Sequence, residues 1–123
     1  MLKKLFILGI LFMLFDFCYI QIVSKSYARM IQNIQKSDMR LRTLPAVLCY
    51  IVMVLGLYFF VIKDKKPVVD AFVLGFIIYA VFNTTNLALI KNWNWTNSTI
   101  DTIWGGVLFA FVTNCYYIIT NNI

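Results

Sequence analysis

Four long apolar runs constrain this chain more than anything else in it: Leu5 to Val23, Leu44 to Ile62, Val68 to Ile90 and Ile100 to Ile119. Each is close to the ~20 residues that a helix needs to cross the hydrocarbon of a bilayer. Together they occupy nearly the whole of the 123 residues, leaving a basic N-terminus, three connections and a short tail. No soluble domain fits in what remains. The reading is an all-α integral membrane protein, multi-pass, with residues 1–123 forming one domain of four antiparallel transmembrane helices.

The first run has a second reading as a secretory signal, because Lys3 and Lys4 precede it and Ser26-Tyr27-Ala28 resembles a small-x-small cleavage site. Its length and Asp16 favour a retained helix. Helix starts are marked at Thr43 with Pro45, at Pro67, and at Ser98-Thr99-Ile100-Asp101, a capping-box pattern before the fourth run. Ala71 with Gly75, and Gly105 and Gly106 with Ala110, are small-residue spacings that allow the third and fourth helices to approach closely. Cys18, Cys49 and Cys115 lack any metal or redox spacing and read as small hydrophobes buried in the spans.

The connection from residue 25 to 42 is periodic. At 100° per residue, Lys25, Arg29, Lys36 and Arg40 fall within roughly 60° of one another, with Tyr27, Met30, Ile31, Ile34 and Leu41 opposite. This predicts an amphipathic helix lying in the membrane interface between the first and second spans. Its basic stripe would meet anionic head groups, its aliphatic face the acyl boundary. Basic residues divide five against six between the two membrane faces, so charge counting assigns no orientation. The same division, with no aromatic interleaving, argues against direct nucleic-acid binding.

The chain has 11 Lys plus Arg, five acids that are all Asp, no Glu and no His. Most acid/base, metal and triad chemistry therefore lacks its usual side chains, and no enzyme, cofactor or metal site is expected. What chemistry remains sits inside the spans. Asp16 lies toward the exit of the first helix, Asn83 and Asn86 toward the exit of the third, and Asp101 at the start of the fourth. Antiparallel packing brings these ends to one side of the bundle, where Trp93, Trp95 and Trp104 form an interfacial belt. The cluster Asp16, Asn83, Asn86 and Asp101 is either a pocket for a proton, cation or head group, or polar glue between helices.

Tyr79-Ala80-Val81-Phe82-Asn83-Thr84-Thr85-Asn86-Leu87-Ala88-Leu89-Ile90-Lys91-Asn92-Trp93 and Asp101-x-x-Trp104-Gly105-x-x-Leu108 resemble paired motifs of the small membrane proteins grouped as domain of unknown function 2177. Asp16, Tyr27, Pro45-Ala46, Tyr50 and Gly56 are weaker matches. The resemblance implies four helices and no particular activity. Asn83 stands where that family usually has Asp, and Asn92 where it has Gly. Family members occur in bacteria and in large DNA viruses, and the Asn-, Ile-, Lys- and Phe-rich composition is similar to the viral ones. The expected function is a structural or assembly component of a membrane, such as the inner membrane of a virion, contacting neighbouring membrane or capsid proteins. The alternative is a small-solute, proton-coupled or lipid-binding carrier built on the Asp/Asn cluster.

Overall fold

A computed structural model describes residues 2–37 and 42–121. These form four helices and no strand: α1 (Leu2–Gln35), α2 (Thr43–Leu57), α3 (Val68–Leu89) and α4 (Trp95–Asn121). The end of α2 loosens into a π-helical turn, Tyr58–Ile62, in which the Lys63 amide donates to the Tyr58 carbonyl. All four helices are long and apolar enough to span a membrane.

α1 is longer than the first apolar run. It extends without a break for 34 residues, about 51 Å at 1.5 Å per residue, some 20 Å more than the hydrocarbon is thick. The expected separate interfacial helix is therefore replaced, up to Gln35, by an extension of α1. The physical reason is local: no Gly or Pro stands between Gly9 and Pro45 to stop propagation. The helix ends where Lys36 turns left-handed at φ 60°. Lys25, Arg29 and Lys36 are exposed, while Tyr27, Ile31 and Ile34 are half-buried and Met30 is buried. Met30 packs against the start of α4 rather than lipid, its sulfur accepting from the Asn94 amide at 3.3 Å. Arg40 and Leu41 lie outside the described residues.

α4 starts earlier than the capping-box pattern implies. The Asn94 side chain accepts from the amides of Thr96 (2.7 Å) and Asn97 (3.2 Å), which makes Asn94 the N-cap. Ser98 and Asp101 are consequently interior residues, both buried. Asn92, just before, has φ 71°. Asparagine tolerates that conformation better than any residue but glycine, which accounts for its standing at a Gly position of the motif.

α3 and α4 form the closest pair. A Cβ on Gly75 would run into the Gly105 carbonyl and Phe109, and one on Gly105 into the Tyr79 ring, so backbone contact here requires the missing side chains. α1 lies against α4 through Phe12 on Phe109 (ring centroids 5.0 Å), Tyr19 on Trp104 (4.7 Å) and a Ser26–Asn97 hydrogen bond (2.7 Å). Position rises along α1 as it falls along α4. The buried core comprises Leu8, Phe12, Leu57, Val61, Leu108, Phe109 and Val112. Outward faces carry Phe6, Met13, Phe17, Val52, Phe60 and Phe82, all exposed, as suits helices solvated by acyl chains. The three thiols are free, yet Cys18 and Cys49 are exposed on the helix surfaces rather than buried. Their positions face outward from the packed stripes of α1 and α2.

Candidate functional site

α1 turns one stripe inward, and it changes from apolar to polar along its length. Leu8 and Phe12 are fully buried, then Asp16, Tyr19, Ser26 and Met30 follow at three-, four- and seven-residue steps on the same face. On α4 the matching stripe runs Asn97, Asp101, Gly105, Phe109 and Val112, all buried. The polar halves meet.

Asp16 and Asp101 each anchor a small network. Asp16 accepts from the Tyr50 hydroxyl of α2 and, at 3.2 Å, from the Trp104 indole Nε1–H of α4. Asp101 accepts from the Tyr19 hydroxyl of α1 at 3.2 Å and from the Asn83 Nδ2 of α3 at 2.8 Å. Tyr19 and Trp104, one on each carboxyl, stack with an interplanar angle of 3°. All four helices thus contribute to one hydrogen-bonded and stacked array. Among the described residues every donor to the two carboxyls is neutral. Such a pairing leaves the charge of an ionised carboxylate uncompensated in a setting where charge is expensive.

Asn83 is the most buried polar member, at 1% exposure. Its Nδ2 also donates to the Tyr79 carbonyl at 2.9 Å. Both strong acceptors lie on the nitrogen side, which fixes the amide orientation. Oδ1 is left with no hydrogen-bond partner among the described residues. The Tyr27 hydroxyl is also buried and faces Asp101, its polar neighbour, without closing to a full hydrogen bond. A buried acceptor or donor left unpaired costs about 1–3 kcal/mol.

Of the expected site residues, Asp16, Asn83 and Asp101 come together. Asn86 does not: it is half-buried, and its side chain bonds none of the three among the described residues. Three residues along a helix leave it turned some 60° from Asn83. Of the three tryptophans, Trp104 donates to Asp16 and stacks on Tyr19, Trp95 is 74% exposed at the start of α4 and Trp93 packs edge-on against Phe82. Asp101 is no simple capping acid, since the cap is Asn94. Tyr19 and Tyr50 are the members of this network that spacing alone does not single out.

Four membrane-spanning helices around a buried carboxylate network define the class: an integral, multi-pass membrane protein. The chain belongs to the family described as predicted membrane protein (DUF2177), whose model matches residues 1–118. No curated protein and no solved structure matches it.

Proposed function

We propose that this protein binds a proton or small polar solute at the Asp16–Asp101 network, as a non-enzymatic membrane carrier or binding protein with its helices running up-down-up-down across the bilayer. The observation that carries this reading is the gathering of two intramembrane acids, from different helices, held only by neutral donors. Acids in such places are functional by default, because hydrocarbon penalises them unless they exchange a proton or meet a cation. Access is from the face beside the first and third connections. In the other direction Leu8, Phe12, Leu57, Leu108, Phe109 and Val112 form an apolar plug. The basic side of the α1 extension, Lys25, Arg29 and Lys36, would rest on anionic head groups at that same face.

A second reading is favoured by one observation, that the network ties all four helices at once. On that reading the polar groups are glue, and the protein is a structural or assembly component, for example of a virion's internal membrane, beside other membrane or capsid proteins. The two readings separate in proteoliposomes. Asp16→Asn and Asp101→Asn should keep helical circular dichroism and monodisperse elution while losing proton uptake after a pH jump, read with a trapped dye. Wild-type uptake in both variants would return the network to a purely structural role.

A further inference from the structure

Asn83 Oδ1 is a strong acceptor, 1% exposed and unpartnered. It belongs to an amide whose nitrogen is 2.8 Å from Asp101 Oδ2, so it lies beside that carboxyl. The amide is not free to turn, because reversal would set Oδ1 against the Tyr79 carbonyl, now 2.9 Å from the nitrogen. An orphaned acceptor in hydrocarbon calls for something that brings positive charge or protons to it.

Asp101 has capacity of the same kind. A carboxylate offers about four lone-pair positions, and here Tyr19 takes one on Oδ1 and Asn83 one on Oδ2. Lone-pair capacity is left over even with Tyr27 facing the carboxyl. The Tyr27 hydroxyl, buried and facing Asp101, adds a third kind of oxygen beside the carboxyl. The available ligands are therefore an amide carbonyl, a carboxylate and a hydroxyl, all hard oxygens. They carry a single formal charge. No group of three His, Cys, Asp or Glu side chains exists among the described residues to hold a divalent or transition metal.

We infer that Asn83 Oδ1, Asp101 and the Tyr27 hydroxyl form a binding site for a monovalent inorganic cation. One unit of positive charge neutralises the carboxylate, satisfies the orphaned carbonyl and removes the penalty for an ionised acid in the membrane. Asp16 stands apart from the ligand set, occupied by Tyr50 and by Trp104 across the Tyr19 stack, and supplies negative potential rather than an oxygen. This assignment rests on the carboxylate-site reading above and names its ligand.

The test is thermal unfolding of the full-length protein in lipid nanodiscs, in sodium, potassium or choline chloride at one ionic strength, with a calcium chloride arm. Sodium or potassium should raise the midpoint saturably over choline, and calcium should do no better than the monovalent ion. Asn83→Leu and Asp101→Asn should abolish the cation dependence, and Tyr27→Phe should weaken the apparent affinity about tenfold, the loss of roughly one polar contact to a charge. Equal midpoints for the wild-type protein in all salts overturn the inference without reference to any variant. If proton uptake still depends on Asp101 in that case, the carboxylate reading survives and only its cation fails. If neither signal depends on Asp101, both fall.

Discussion

At the scale of single residues, apparently similar polar groups become unequal once packed. Asp64 and Asp70 are exposed at the ends of helices, whereas Asp101 is 8% exposed and is held by tyrosine and asparagine. Removing its carboxyl strands two donors at once. Asp101→Ala should therefore destabilise the protein by about 1–3 kcal/mol, while Tyr19→Phe, which keeps the stack on Trp104, should lose only about 1 kcal/mol. Chemical unfolding in detergent micelles would measure both; equal losses would mean that the Asn83–Asp101 bond adds nothing to stability beyond the Tyr19 hydroxyl bond. The acids and Asn83 were legible in the sequence because a charge or amide stands out within an apolar run. Tyr19 and Tyr50 were not, because a tyrosine in such a run counts as apolar mass until its hydroxyl finds a partner. Asn86 misled for the opposite reason, sharing the motif but not the face.

At the scale of elements, the helices follow from the apolar runs, but their ends do not. The first helix outlasts its hydrophobic stretch because hydrophobicity falls at Ser24 while helix propensity does not. The fourth begins three residues before Ser98 because Asn94 is an equally good cap lying outside the hydrophobic window. Small-residue spacing, by contrast, was a reliable guide to the α3–α4 seam. There the backbones are close enough that Gly105→Leu would drive a side chain into Tyr79, whose carbonyl orients Asn83. That variant should lose about 1–3 kcal/mol by overpacking and should also disturb the Asn83–Asp101 bond. Gly56, where a Cβ would meet nothing within 4 Å, is the control. A Gly56→Ala protein should unfold like the wild type; if both substitutions behave alike in thermal melts, close approach at the seam is not what holds α3 to α4.

At the scale of the whole molecule, a chain that is 62% hydrophobic and carries net charge +6 keeps every Lys and Arg outside its four apolar runs and gathers two acids, Asp16 and Asp101, within the helix bundle. A buried apolar cluster fills one half of the bundle, and the α1 extension packs on the start of α4 in the other. On the proposed carrier reading, the acids are reached from the side away from that apolar cluster. The most direct measurement is isotope-edited infrared spectroscopy of the protein in oriented bilayers, with the carboxyl bands of Asp16 and Asp101 assigned by their Asn variants. A functional site gives bands that respond when the pH or monovalent salt is changed on the face beside the first and third connections, and stay constant when only the opposite face is changed. Bands that remain unchanged under every condition on both faces would contradict it and leave the network as structural glue.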